Sequence, residues 1–135
     1  MTGIEEIVAR AGEARERAYA PYSGFRVGAV VEADDGTLFA GSNVENASLG
    51  LTLCAERVAV AAAVTAGHRA FRRLVLVSDG ERAVSPCGAC RSVIWEFAPD
   101  LPILSVAGGD RREWRMDELL PAPFRLPEPK PSGTS

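Results

Sequence analysis

Residues 54–67 read Cys54-Ala55-Glu56-Arg57-Val58-Ala59-Val60-Ala61-Ala62-Ala63-Val64-Thr65-Ala66-Gly67. Alanine dominates the stretch and is the best helix former, while Gly67 is well placed to end the helix. The charges stand in its first turn; after Arg57 no Asp, Glu, Lys or Arg appears before Arg69, with only His68 between. A helix apolar on every side wants cover on every side. A chain of 135 residues struggles to provide that alone, so the stretch predicts a helix that also faces another subunit. On the alternative reading, alanine exposes little surface and needs no partner.

Upstream, Ile4, Ile7, Val8, Ala11, Ala14 and Ala18 recur at helical spacing between charges, and Pro21 closes that pattern. Tyr22-Ser23-Gly24 reads as a turn. Residues 25–33 and 37–42 read as two strands around the hairpin signal Asp34-Asp35-Gly36, and residues 43–52 as a polar loop. Downstream, residues 74–78 form a nearly continuous apolar strand, as in a sheet covered on both faces. A helix over 88–97 stops before Pro99, a strand follows over 103–106, another over 112–116, and a helical turn over 117–120. A hairpin followed by two strand–helix–strand crossovers predicts an α/β fold, a three-layer α/β/α sandwich with a mixed five-stranded sheet. Residues 1–125 form one domain, and residues 126–135, with Pro127, Pro129 and Pro131, read as a disordered tail.

Of the residues, 47% are hydrophobic and 24% charged, in keeping with one domain and its own core. The net charge of −3 and the lack of a Lys/Arg run argue against nucleic acid as a partner. Arg72-Arg73 and Arg111-Arg112 read as solvated surface pairs. No stretch approaches a membrane span or a secretory hydrophobic region, so the expectation is a cytoplasmic protein with no membrane partner.

There are three cysteines, all inside two short motifs. In a reducing compartment, Cys-x-x-Cys points to metal or redox chemistry rather than to a structural disulfide. Cys87 and Cys90 have the spacing that lets two thiolates meet one ion, Pro86 and Gly88 suit the sharp turn, and Cys54 is the third sulfur. Three protein ligands and an open position are the pattern of a catalytic zinc. Three thiolates around a +2 ion leave net negative charge, which makes bound water less acidic. Two helix N-termini and the Arg57 guanidinium offset that charge. Glu56 is the group placed to move protons. His68, the only histidine, reads as an ordinary surface residue.

These residues resemble the zinc-dependent nucleoside deaminases, in which a non-ligand Glu works beside a Pro-Cys-x-x-Cys segment, and more closely the small homotetrameric cytidine deaminases. The likeness rests on residues 20–29, Asn43-Val44-Glu45-Asn46-Ala47-Ser48, Leu51-Thr52-Leu53-Cys54-Ala55-Glu56-Arg57, residues 85–91, and Leu119-Leu120-Pro121 with Phe124. It spans about residues 4 to 125. It implies one zinc per chain on Cys54, Cys87 and Cys90 and proton transfer by Glu56. It further implies a pyrimidine nucleoside substrate, its ribose hydroxyls bound by Asn43 and Glu45. Phe25 would pack beside base or sugar, the Ala55 backbone would bond the base, and Phe124 would reach a neighbouring subunit's site.

Four positions depart from the family's habit: Ser42 for a frequent Cys, Leu49 for a frequent Tyr, Ser92 for a frequent Gln, and a bulky Trp95. The reaction expected is hydrolytic deamination of cytidine and 2'-deoxycytidine in pyrimidine salvage. The alternatives are a deaminase of a modified cytosine nucleoside or nucleoside antibiotic, and a non-catalytic zinc or redox module.

Overall fold

A computed structural model describes residues 2–127. The first helix, α1 (Ile4–Glu16), precedes a hairpin of β1 (Val27–Ala33) and β2 (Leu38–Ser42). A 3-10 turn over Leu49–Leu51 interrupts the following loop before α2 (Ala55–Thr65), β3 (Phe71–Ser78) and α3 (Gly88–Phe97). The domain ends with β4 (Pro102–Ala107), β5 (Asp110–Arg115) and the single turn α4 (Met116–Leu119).

The five strands lie in the order β2-β1-β3-β4-β5. β1 runs antiparallel to β2 and β3, β3 is parallel to β4, and β5 returns antiparallel along β4. The sheet is therefore mixed, as expected. The α2 and α3 connections each join strands of the same direction.

Strand alternation builds the layers. Val30, Val75, Val77, Leu104 and Val106 pack under Ile7 and Ala11 of α1. Ala29, Val31, Leu74, Leu76 and Ile103 pack on the opposite face with Ala59, Val60 and Ala63 of α2 and Ile94 of α3. Neighbouring residues of β1 and β3 thus feed different cores, which is why these strands read as continuous apolar runs.

Helix α2 sits hard against the hairpin. A Cβ built on Gly41 would stand 2.5 Å from both the Ala55 carbonyl oxygen and the Ala59 nitrogen, so only glycine allows this approach. At its far end Gly67 adopts φ +103°; its N–H donates to the Val64 carbonyl, and that of His68 to the Ala63 carbonyl, both at 3.0 Å. This is the paired-bond glycine cap anticipated from the sequence.

The surface expectation is corrected at Arg73 and His68, while Arg72, Arg111 and Arg112 are exposed as expected. Arg72 and Arg73 belong to β3, which begins three residues earlier than the apolar run suggested. Arg73 Nε donates at 2.6 Å to Oε1 of Glu32, a carboxylate with 0% exposure on the neighbouring strand. Arg111 pairs with Glu5 of α1 at 2.7 Å. His68 is half-buried against the Phe39 ring, with centroids 5.1 Å apart. The proposed tail falls almost wholly outside the described residues.

Candidate active site

Two helices deliver the three sulfurs. Cys54 occupies the N-cap of α2, and Cys87 the N-cap of α3. Cys90 lies buried in the first turn of α3. The three Sγ atoms lie within 4.8 Å of one another, with Cys54 and Cys87 at 3.8 Å. Two sulfurs about 2.3 Å from one tetrahedral zinc stand roughly 3.8 Å apart, so the spacing suits that ion. Among the described residues no fourth His, Cys, Asp or Glu joins this group. All three cysteines are free thiols.

The electrostatics favour a thiolate at Cys54 and resist one at Cys90. Hydrogen bonding from Cys90, with help from Arg57 and Cys87, lowers the Cys54 thiol to about 5 against an opposing burial effect. Cys90 is pushed up by its bond to Cys54, by burial and by the Glu56 carboxylate. A divalent cation removes that conflict, because it neutralises the charge that the thiolates otherwise concentrate.

Arg57 takes part directly. Its Nη2 donates to the Thr52 carbonyl at 3.0 Å and approaches Cys54 Sγ at 3.8 Å. The Cys54 contact holds the guanidinium more firmly protonated. Glu56 is only 6% exposed, and burial first, then the Cys54 charge, raises its carboxyl to about 7. Ala55, fully buried, opens α2, where the first N–H groups lack intrahelical partners.

The candidate nucleoside-binding residues stand on the loops beside this centre. Asn43 is 8% exposed; its Oδ1 accepts from the Val27 N–H at 2.8 Å, and its Nδ2 donates to the Phe25 carbonyl at 2.9 Å. One amide N–H and one lone pair are left beyond these two bonds. Glu45 Oε1 accepts the N–H groups of Tyr22 and Ser23 at 2.9 and 3.1 Å, and Oε2 accepts the Ser23 hydroxyl. The Ser23 bond holds its carboxyl below the usual range. A hollow of about 390 Å³ lies among Tyr22, Ser23, Glu45, Leu49 and Thr52. Phe25 is 37% exposed. Phe124 lies on the segment after α4, 85% exposed. Ser42 turns its hydroxyl to the Ala14 carbonyl, so it takes a packing role.

Sequence reasoning gave no role to Arg91. Its Nε donates to the Pro86 carbonyl at 2.8 Å, Nη1 to the Leu119 carbonyl at 2.9 Å, and Nη2 to the Ser85 hydroxyl at 2.9 Å. The guanidinium therefore braces the loop that carries Cys87. The only signal available was its place directly after Cys90.

Residues 1–104 match the family described as the cytidine and deoxycytidylate deaminase zinc-binding region. A cytidine deaminase of Sporosarcina psychrophila is 47% identical over 123 residues, covering 90% of each chain. One from Halalkalibacterium halodurans is 46% identical over 120 residues, covering 87% of this chain and 91% of its own. The crystal structure of the Burkholderia pseudomallei cytidine deaminase, 42% identical, superposes with a TM-score of 0.88 over 91% of this chain and 100% of that one. The sulfur cluster, the buried glutamate beside it and these likenesses agree: the chain belongs to the cytidine deaminase family.

Proposed function

We propose that the protein hydrolyses cytidine and 2'-deoxycytidine to uridine and 2'-deoxyuridine, consuming one water and releasing one ammonia. The observation that carries this reading is the buried Glu56 carboxyl two positions from Cys54, one of three converging thiols. Cys54, Cys87 and Cys90 would hold one zinc per chain, whose Lewis acidity makes water nucleophilic near neutral pH. Glu56 takes the proton that water gives up and returns it to the departing amine; a carboxyl raised to about 7 suits both transfers. Asn43, with its remaining donor and acceptor, and Glu45 bind the ribose hydroxyls. Phe25 packs beside the base or sugar, and the Ala55 N–H bonds the base. Arg57 shields the thiolate charge.

The protein acts as a homotetramer in this reading, with Phe124 entering a neighbouring copy's site. An apolar hollow of about 560 Å³, left uncovered by the described residues, supports self-association; Leu53, Val58, Val60, Ala61, Val64, Val93 and Phe97 supply its apolar lining. Leu49 and Leu51 add 76% and 66% exposed apolar side chains. We place it in the cytoplasm, in pyrimidine salvage; no described helix is long and apolar enough to cross a membrane. Residues 1–125 are taken as the catalytic domain.

A second reading has its own support. A relative named Blasticidin-S deaminase, from Bacillus cereus, is 33% identical over 106 residues and 73% of this chain. A modified cytosine nucleoside is the substrate on that reading. Ammonia release from cytidine, 2'-deoxycytidine and blasticidin S, measured with zinc content per chain, separates the two. Efficient turnover of cytidine supports the first; turnover confined to the modified nucleoside overturns it.

A further inference from the structure

We infer that Trp95 and Arg125 are a positioning pair that fixes the direction of Phe124. The inference rests on the reading above, in which Phe124 serves a second copy of this chain.

Arg91 and Trp95 stand four residues apart on α3 and so share one face of it. Both hold the segment that follows α4. Arg91 Nη1 donates at 2.9 Å to the carbonyl of Leu119, the last residue of α4, just ahead of the segment. The Arg125 guanidinium lies 4.7 Å from the centre of a Trp95 ring, where it ends. Such a contact is a cation–π interaction, strongest on tryptophan. Between the two anchors stand Pro121 and Pro123, whose rings fix φ and leave few conformations open.

The two side chains flanking Arg125 are released outward: Phe124 is 85% exposed and Leu126 is 72% exposed. A phenylalanine presented this way in solution exposes apolar area that the described residues leave uncovered. Anchoring Arg125 on the helix face holds its neighbour in one orientation, so less freedom is lost when Phe124 is buried by a second copy. Trp95 thereby acquires a role through Arg125, without touching substrate. Since α3 also carries Cys87 and Cys90 at its start, one helix sets both the sulfurs and the reach of the segment.

The test uses the zinc-loaded enzyme and the variants Trp95→Leu, Trp95→Phe, Arg125→Gln, Arg125→Lys and Phe124→Ala. Steady-state kinetics with cytidine give one readout. Tryptic cleavage after Arg125, followed by mass spectrometry, gives a second that is independent of activity. Trp95→Leu and Arg125→Gln are expected to raise KM about two- to five-fold, the range that a partly exposed cation–π contact supplies. Both leave kcat within about two-fold of wild type, as loss of pre-ordering for binding requires.

Trp95→Phe and Arg125→Lys, which keep a ring face and a cation, should restore most of the effect. The double variant should be no worse than either single one. Trp95→Leu should also speed cleavage after Arg125 by a similar factor. Unchanged KM and cleavage in Trp95→Leu, with KM raised in Phe124→Ala, overturn the clamp alone. Faster cleavage with KM unchanged in both Trp95→Leu and Phe124→Ala overturns the positioning role by removing the function of Phe124.

Discussion

The Nε of Arg91 donates to the carbonyl oxygen of Pro86 at 2.8 Å, across the turn that carries Cys87. With its bonds to Ser85 and Leu119, this side chain ties both flanks of the sulfur loop to the end of α4. Partners that orient metal ligands typically contribute 10–100-fold in metal affinity. Arg91→Gln is therefore expected to weaken zinc retention by about that factor. Competition with a chromogenic chelator measures it, and wild-type retention in a folded variant would remove the bracing role.

Glu56 is expected to matter for chemistry far more than for folding. General acid–base catalysis contributes about 10²–10⁴-fold, and Glu56→Gln should lower kcat at least that much. Zinc content by elemental analysis should stay at one per chain. A drop of only a few-fold would reassign the proton transfer elsewhere.

Cys87 couples metal to stability. Cys87→Ala leaves two sulfurs, and metal-binding energy is lost from the folded state. The variant should purify with little zinc and melt at lower temperature than wild type. Chelator treatment of wild type should move its melting point the same way, and a melting point indifferent to zinc would contradict the coupling.

Asn43 is expected to carry two duties that one substitution separates from those of Glu45. Its amide satisfies the Val27 N–H and the Phe25 carbonyl, and an orphaned buried group costs about 1–3 kcal/mol. Asn43→Ala should lose stability on that scale as well as raising KM. Glu45→Gln should raise KM with a smaller effect on denaturant midpoint. Equal midpoints for Asn43→Ala and wild type would show that its backbone bonds contribute nothing.

Acid stability should depend on Asp79. Its carboxylate accepts from the Arg26 N–H and Nε, each at 3.0 Å, and these bonds hold its pKa below the ordinary value. A depressed folded-state pKa means stability that is fully present above the unfolded-chain value of about 4 and lost as pH falls through the folded one. The difference in melting temperature between wild type and Asp79→Asn should be largest near neutral pH. It should shrink progressively below about pH 4. A gap that stayed constant down to pH 2 would exclude the linkage.

Much of this architecture is legible before any coordinates. Local chemistry dictates α2 and α3: Cys54 and Cys87 fall at their N-caps and Gly67 closes the first. The sulfur cluster is legible because spacing within a turn and residue type together restrict what three cysteines can do. The pairing of Arg73 with Glu32 is not, since it needs the register between β1 and β3. Arg91 is hidden for a similar reason: one of its acceptors is a main-chain carbonyl 28 positions away, which has no side-chain signature. Asn43 shows the same limit, because its amide bonds a strand entrance that only the folded hairpin creates.

The contact between α2 and residue 41 reaches further than packing. Ala55 and Ala59 rest where a methyl group at Gly41 would have to be, so the smallest possible residue sets the altitude of the helix above the hairpin. Any larger residue there would jack the helix upward and tilt the carboxyl and the thiol that flank Ala55. The placement of Cys54 and Glu56 is thus written partly into a residue of the neighbouring strand.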